Sequence, residues 1–286
     1  MDDLNLSERQ LQIPSGTITY WVSREVDADR PWLVFLPGLT ADHRLFERQL
    51  EHFAGRANML AWDPPSHGAS RPFELSWTLD DLAGWLHEIL KREGTNRPIL
   101  VGQSMGGYVS QAYLRLYPDD VAGFASIDSC PLDFSYYQGW ELFFLKHTKL
   151  MYLSIPWNTL KRLGSSGCAT TDYGRTLMAT MMDDYGKREY CELAAHGYAA
   201  LAGAIVPERT YHVPCPMLLI CGEKDQAGSA KRYNRAWSQK TGVPLRWIEG
   251  AGHNANTDKP DAVNALLEEF ARSLYEPAFD GAPQAG

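Results

Sequence analysis

Short apolar runs alternate along this chain with longer segments whose apolar residues recur at helical spacing. The apolar runs, each of which predicts a buried strand, lie at 32–36, 58–62, 97–101, 123–128, 217–221 and 245–248. Helical spacing marks the segments 45–53, 79–90, 107–117, 229–240 and 261–274. Residues 10–14 and 17–23 alternate in polarity around a Pro-Ser-Gly turn, which predicts an antiparallel hairpin. Strands that alternate with helices predict an α/β fold with a mostly parallel sheet.

This alternation is interrupted between residues 131 and 210. The segment has no strong strand signal, is rich in Tyr, Trp, Phe and Met, and predicts helices at 140–150, 152–163, 173–183 and 187–204. We therefore expect a core built from residues 1–130 and 211–286, and a helical cap insertion, 131–210, over the carboxyl edge of the sheet. Ligands bind at that edge in such folds. The tail from Glu276 onward is expected to be mobile.

The composition narrows the class of function. The chain has 286 residues, 44% of them hydrophobic, with a formal net charge of −8 and a pI of about 5.5. An acidic surface repels phosphate backbones, so nucleic acid is not expected as a partner. No apolar run reaches the length of about 18 residues that predicts a membrane span, and the acidic start does not resemble a signal peptide. Five cysteines without C-x-x-C spacing indicate a reducing compartment, so we expect a cytoplasmic protein without disulfides or a zinc site.

The sequence Gly102-Gln103-Ser104-Met105-Gly106 fits the pattern G-x-S-x-G. It follows one apolar run and precedes a segment with helical spacing, and a strand, a sharp turn and a helix together form a nucleophile elbow. Such a turn lifts a serine hydroxyl to the rim of the sheet, and its glycines allow the strand and the helix to approach closely. Ser104 is therefore the candidate nucleophile. An ordinary glycine-rich turn with a solvated serine is the alternative.

A nucleophilic serine needs a base, and the base needs an orienting acid. His253 follows the apolar run 245–248 on a loop with two nearby glycines, which places it at the same sheet edge as Ser104. The acid is expected after the preceding strand, where Asp225 lies. Glu223, in the same turn, is a weaker alternative, and Asp128, at the end of the strand after the elbow, is a stronger one.

Acyl transfer also needs a site for developing negative charge, which two backbone N–H groups usually provide. One is expected from Met105, the residue after the candidate nucleophile. The other is expected from Leu39, in the loop that follows the apolar run 32–36. The basic residues of the cap that could bind an anionic substrate are Lys161, Arg162, Arg175 and Arg188.

Together these motifs resemble the α/β-hydrolase superfamily, in its cap-bearing esterase, lactonase and C–C hydrolase branch. The matching segments are 37–40, 63–70, 102–107, 222–225 and 252–253, and the chain order Ser104, Asp225, His253 also matches. The resemblance extends from residue 10 to residue 274. It implies an α/β-hydrolase fold with an eight-stranded sheet, and a structural role for Asp63 and His67 in the wall of the site. The family commonly has His-Gly where this chain has Pro-Gly at 37–38, a departure that bears on the conformation of that loop.

The resemblance implies a serine hydrolase that cleaves an ester or lactone through an acyl-enzyme, and the aromatic insertion favours a moderately apolar small molecule as the substrate. The expected mechanism uses no metal or organic cofactor. We expect the protein to be a monomer or a homodimer. Cleavage of a C–C bond, cofactor-free perhydrolysis, and peptide or amide hydrolysis stay open on the same residues. A serine at position 104 argues against a dehalogenase or epoxide hydrolase with a nucleophilic aspartate. A hydrolase-like receptor that binds a small ligand with little turnover also stays open.

Overall fold

A computed structural model describes residues 4–275, and its centre is one eight-stranded sheet. The strands are β1 (Leu6–Ile13), β2 (Gly16–Ser23), β3 (Trp32–Leu36), β4 (Asn58–Trp62), β5 (Ile99–Gln103), β6 (Gly123–Ile127), β7 (Met217–Gly222) and β8 (Leu245–Ile248). They are ordered β1-β2-β4-β3-β5-β6-β7-β8, with antiparallel pairing of β1 with β2 and of β2 with β4 and parallel pairing elsewhere. The predicted α/β class and mostly parallel sheet are confirmed. The tail from Glu276, expected to be mobile, lies outside the described residues.

Helices flank the sheet and fill the connections between its strands. They are α1 (Glu47–Phe53), α2 (Leu79–Arg92), α3 (Met105–Leu116), α4 (Gly139–Lys146), α5 (Thr148–Ser154), α6 (Trp157–Cys168), α7 (Asp172–Asp183), α8 (Lys187–Ala204), α9 (Ala230–Thr241), α10 (Ala255–Asp258) and α11 (Pro260–Tyr275). The start of α2 shows how the sequence sets a boundary. The Thr78 side chain accepts the Asp81 N–H, and the Asp81 carboxylate accepts the Thr78 N–H. This capping box satisfies backbone donors that the first helical turn leaves unpaired.

The insertion contains five helices, where four were expected. The single helix expected at 140–150 is divided into α4 and α5, because His147 leaves the helical conformation (φ −118°, ψ 22°). The helix expected from residue 152 begins only at Trp157. Ile155 is extended because a residue before proline is disfavoured in the helical region, and Pro156 caps α6. The hairpin is also longer than predicted, since β1 begins at Leu6.

The central strands are buried on both faces, which explains their continuous apolar sequences. Every residue of β3, β4, β5 and β6 is buried. Parallel strands share one carboxyl edge, so the loops after β3, β5, β6, β7 and β8 meet on one side of the sheet. The insertion contacts the rest of the chain through α8 with α2 and through α7 with α10. Within residues 4–275, no helix is both long enough and apolar enough to cross a membrane.

Candidate active site

Ser104 lies in a strained turn between β5 and α3. Its backbone has φ 49° and ψ −115°, a conformation that costs a non-glycine residue free energy. The turn is possible because glycines surround it. A Cβ atom on Gly106 would lie 1.8 Å from the Leu36 carbonyl oxygen, and one on Gly102 would lie 2.5 Å from the Gly106 backbone. The G-x-S-x-G pattern therefore has the strand-turn-helix geometry that the sequence predicted.

Three side chains from separate loops form one hydrogen-bonded line. The His253 Nε2 atom lies 2.9 Å from the Ser104 Oγ atom, and His253 Nδ1 lies 3.1 Å from Asp225 Oδ2. The Asp225 side chain is fully buried and the His253 side chain is 13% exposed. The other carboxylate oxygen of Asp225 accepts the Ala227 N–H at 2.7 Å, which fixes its orientation. An imidazole in this position can accept the hydroxyl proton of the serine.

The electrostatic surroundings favour a protonated His253. Burial by itself lowers the pKa of the imidazole, but the charge of Asp225 and its hydrogen bond outweigh burial, and the pKa is raised above its ordinary value. The carboxylate thus stabilises the imidazolium that forms when the ring takes a proton. It also leaves Nδ1 as the protonated nitrogen of the neutral ring, so that Nε2 is the acceptor.

Asp128, the stronger alternative acid, has other partners. Its carboxylate accepts the N–H of Gly222 at 2.6 Å and the N–H of Ala255 at 3.0 Å. It therefore ties the end of β7 to the loop that follows His253. Burial and the neighbouring Asp225 raise its pKa to about 8. The weaker alternative, Glu223, accepts the N–H of Gly250 at 3.1 Å on the surface.

The two residues expected to donate backbone N–H groups are Met105, which follows Ser104, and Leu39, which follows Gly38, where a Cβ would lie 3.1 Å from Ser104 Cβ. Met105 begins α3, where the first N–H groups of a helix have no acceptor inside the helix. Leu39 follows Gly38, which packs so tightly that a Cβ there would lie 2.4 Å from the Gln103 side chain. The side chain of Leu39 contacts α8, since a Cβ on Gly197 would lie 2.4 Å from Leu39 Cδ1.

Asp63 and His67 hold the neighbouring loop. The Asp63 carboxylate accepts the backbone N–H groups of His43 and Ala69 and bonds the His43 ring at 2.7 Å. His67 Nδ1 bonds the Pro65 carbonyl, and burial lowers the pKa of His67 to about 4. Neither side chain is hydrogen bonded to Ser104, His253 or Asp225 in these contacts. The expected structural role fits this arrangement.

Sequence reasoning did not single out a group of tyrosines beside the site. Tyr198 stacks on Tyr152, with ring centroids 6.3 Å apart and a hydrogen bond between the side chains. The Tyr190 side chain bonds Thr40, next to Leu39. A further pair, Tyr108 of α3 and Tyr137, is also hydrogen bonded. We call Tyr108, Tyr137, Tyr152, Tyr190 and Tyr198 the tyrosine cluster. The aromatic richness of the insertion was the only signal for it.

The tyrosine cluster reaches two elements that carry the site, since Tyr108 lies in the first turn of α3 and Tyr190 bonds Thr40. Burial raises the pKa of all five phenols, so each remains a neutral hydroxyl at physiological pH. These hydroxyls can donate hydrogen bonds to a substrate or accept them.

Most basic residues proposed for an anionic substrate have other partners. Lys161 pairs with Asp183. Arg188 pairs with Glu192 at 3.1 Å. Arg175 donates to the carbonyls of Ala169 and Thr170 and pairs with Asp172. Arg162 is exposed on α6.

Two clusters of side chains within residues 4–275 could supply metal ligands, and their carboxylates already accept hydrogen bonds from the protein. In the described part of the chain, Asp128, Cys221 and Asp225 place ligand atoms within 4.8 Å of one another, as do Asp42, His43 and Asp63. The carboxylates of both groups accept hydrogen bonds from backbone or side-chain donors. All five cysteines of the chain are free thiols.

The sequence and the structure both match known proteins. The chain is 24% identical to a 2-(acetamidomethylene)succinate hydrolase of Mesorhizobium japonicum, over 88% of this chain and 95% of the relative. A thermophilic esterase of Thermogutta terrifontis, solved with malate bound, superposes with a TM-score of 0.74 at 18% identity, covering 94% of this chain and 99% of the esterase. An enol-lactonase of Burkholderia xenovorans superposes with a TM-score of 0.70 at 19% identity, covering 92% and 99%.

Each of the two structural matches covers more than nine-tenths of this chain. A sequence model of the α/β hydrolase family matches residues 33–266, which span both the elbow and the His253 loop. This chain belongs to the α/β hydrolase family.

Proposed function

We propose that this protein is a serine hydrolase that cleaves an ester or a lactone through an acyl-enzyme. The observation that carries the proposal is the hydrogen-bonded line from Ser104 through His253 to Asp225, with distances of 2.9 Å and 3.1 Å. The strained backbone of Ser104 supports it, because strain of this kind is retained where it positions a functional group. The family to which the chain belongs is a family of hydrolases.

In the first half of the reaction, His253 takes the hydroxyl proton while Ser104 Oγ attacks the carbonyl carbon of the substrate. Asp225 holds the ring with Nδ1 protonated and stabilises the imidazolium. His253 then transfers its proton to the leaving alkoxide, and the acyl group remains on Ser104. In the second half, His253 deprotonates a water molecule that attacks the acyl-enzyme. The acid is released as Ser104 recovers its proton.

The negative charge of each tetrahedral intermediate needs donors beside Ser104. We assign the backbone N–H groups of Met105 and Leu39 to this role. The N–H of Ser104 is already bonded to the Ile127 carbonyl at 2.9 Å, so it is not available. Each donor of this kind contributes on the order of 3 kcal/mol to the transition state.

We assign residues 131–210 as the cap that selects the substrate. The tyrosine cluster favours a neutral, moderately apolar substrate with oxygen atoms that can accept hydrogen bonds. The cap cations Lys161, Arg175 and Arg188 are each paired with an acid of the chain. A succinate, as in the name of the Mesorhizobium relative, would need a cation near the carboxylate. We therefore expect a different substrate class for this chain.

All the groups of this mechanism belong to one chain, so a monomer or a homodimer could perform it. The free thiols support a reducing location such as the cytoplasm. No step requires a metal or an organic cofactor.

An active-site fluorophosphonate probe tests the proposal most directly. The wild type should be labelled stoichiometrically at Ser104, and Ser104→Ala should lose the label together with about 10⁴-fold in kcat. Ser110→Ala is the matched control, because this serine lies on α3 and its hydroxyl bonds the Gly106 carbonyl. It should keep the label. An unlabelled wild type would favour a ligand-binding receptor over an enzyme.

A panel of paired substrates then tests the substrate class. Each pair consists of a neutral ester or lactone and the analogue that carries a carboxylate on the acyl group. The neutral member should have the higher kcat/KM. Labelling of Ser104 without turnover of any ester or lactone would direct the search to C–C, peroxide or amide substrates and would overturn the proposed reaction, although not the nucleophile.

A further inference from the structure

An exposed cluster of aromatic rings covers the outer side of α4. Trp140 is 61% exposed, Phe143 59% and Phe144 64%. Their rings form a continuous chain with His147. The centroid distances are 6.2 Å from Trp140 to Phe144, 6.0 Å from Phe144 to Phe143 and 4.2 Å from Phe143 to His147. On α5, Leu150 is 80% exposed and Met151 52%.

These residues are concentrated in one short segment. Ten large apolar side chains are exposed in the described part of the chain, and five of them lie between positions 140 and 151. Soluble proteins rarely expose apolar groups so densely without a binding role. We call these five residues, together with His147, the outer patch.

The opposite side of α4 is fixed, so the outer patch is held outward. Leu142 is buried, and the Glu141 carboxylate pairs with Arg232 of α9 at 2.6 Å. Both α4 and α5 pack on α8. Rotation of α4 to bury Trp140 would therefore break the Glu141 ion pair and expose Leu142.

The outer patch is bordered by basic residues, although the chain as a whole has a net charge of −8. Lys146 is exposed in the last turn of α4. Lys149 and Arg188 are 53% and 86% exposed and both pair with Glu192. Two cations thus share one carboxylate, which leaves a local excess of positive charge.

We infer that the outer patch docks this protein on a lipid–water interface that carries anionic headgroups. The rings and Leu150 would enter the boundary between headgroups and acyl chains, while Lys146, Lys149 and Arg188 would pair with phosphates. Exposed aromatic and aliphatic side chains flanked by lysine and arginine are the composition of an interfacial surface.

A second copy of the chain fits this surface less well. A two-fold symmetric dimer places the same patch on both sides of its interface. Lys146, Lys149 and Arg188 of one copy would then face the same residues of the other, and like charges would repel. An anionic lipid surface has the complementary charge.

Vesicle flotation tests the inference. We would compare vesicles of phosphatidylcholine alone with vesicles of phosphatidylcholine and phosphatidylglycerol. The wild type should bind the mixed vesicles more strongly, and added salt should weaken this binding. Phe143→Ser/Phe144→Ser should bind about tenfold less or weaker still. Its control, Val26→Ser/Leu116→Ser, removes two exposed apolar side chains elsewhere and should bind like the wild type.

A second matched pair tests the charge. Lys146→Glu should weaken binding to the mixed vesicles, whereas Lys91→Glu, which changes an exposed lysine in the last turn of α2, should not. Ser104→Ala should bind like the wild type, which separates docking from the proposed reaction. The inference is overturned if the wild type binds neither kind of vesicle, or if the Phe143/Phe144 variant still binds fully. It is also overturned if that variant converts a dimer into a monomer without lipid.

Discussion

The carboxylate of Asp258 accepts a hydrogen bond at 2.8 Å from the backbone N–H of Gly252, the residue before His253. The same carboxylate accepts the backbone N–H and hydroxyl groups of Thr170 and Thr171, between α6 and α7. Burial raises the pKa of Asp258, but these hydrogen bonds outweigh it and the pKa is lowered. One ionised carboxylate therefore connects the insertion to the loop that carries His253.

We expect Asp258→Asn to lower both stability and kcat. The amide nitrogen would face N–H and O–H donors that now have an acceptor, which costs about 2 kcal/mol in the free energy of unfolding. The His253 loop would lose its fixed position, so kcat should fall roughly tenfold or more while KM changes less. Urea denaturation and steady-state kinetics measure the two effects.

Asp261→Asn is the control for this prediction, because Asp261 is an exposed acid in the first turn of α11. It should change stability by less than about 0.5 kcal/mol and leave kcat unchanged. If Asp258→Asn is destabilised but retains the kcat of the wild type, Asp258 serves the fold alone and does not position His253.

The contact between Gly197 and Leu39 provides a test of the proposed oxyanion donor. A Cβ on Gly197 would lie 2.4 Å from Leu39 Cδ1, the flexible end of a side chain, so Leu39 would move and α8 would remain. We expect Gly197→Ala to fold and to lose on the order of tenfold in kcat, because the Leu39 N–H would be displaced from the oxyanion.

Gly203→Ala, on the same helix, is the matched control. A Cβ at position 203 meets nothing within 4 Å, so this variant should gain about 0.5–1 kcal/mol of stability from helix propensity and keep its kcat. Equal kcat values for the two variants would remove the support for Leu39 as a donor.

Much of the fold could be predicted from the sequence because its signals are local. Each buried strand has a continuous apolar sequence, and Gly102 and Gly106 mark the turn at Ser104. The placement of His253 and Asp225 after successive strands predicts that they approach Ser104, since parallel strands share one carboxyl edge. The structure brings the three side chains into hydrogen-bond contact.

Other features depend on contacts between distant parts of the chain. No local pattern around Asp258 predicts the five donors from Gly252, Thr170 and Thr171, because those donors meet it only after the insertion folds. The break at His147 was missed because α4 and α5 have no proline or glycine between them. The tyrosine cluster could be expected only as an aromatic excess, since composition does not say which rings face a site.

The stability of the protein should depend on pH through Asp128. In the unfolded chain the pKa of an aspartate is about 3.9, whereas in the folded protein burial and Asp225 raise the pKa of Asp128 to about 8. Between these values the folded state holds a proton that the unfolded state has released. The stabilisation from this proton is complete below about pH 4 and is lost as the pH rises to about 8.

Asp128→Asn removes this titration and leaves an amide that can accept from only one of Gly222 and Ala255. We expect the variant to be less stable than the wild type near pH 5, and the difference in the free energy of unfolding to shrink as the pH approaches about 8. Urea denaturation over a pH series measures it. A difference that stays constant with pH would show that Asp128 is ionised throughout.

The pH dependence of the proposed reaction should report the pairing of His253 with Asp225. Burial lowers the pKa of His253, but the opposing effect of Asp225 is larger, so the net pKa lies above the ordinary value of a histidine. Only the neutral ring accepts a proton, so kcat/KM should rise with pH through this raised pKa. Asp225→Asn should move the midpoint to lower pH and reduce kcat by about 10⁴-fold. Glu223→Gln removes a charge from the same turn and should do neither, since Glu223 bonds the Gly250 N–H. An unmoved midpoint in Asp225→Asn, or an equal shift in Glu223→Gln, would exclude Asp225 as the acid that orients His253.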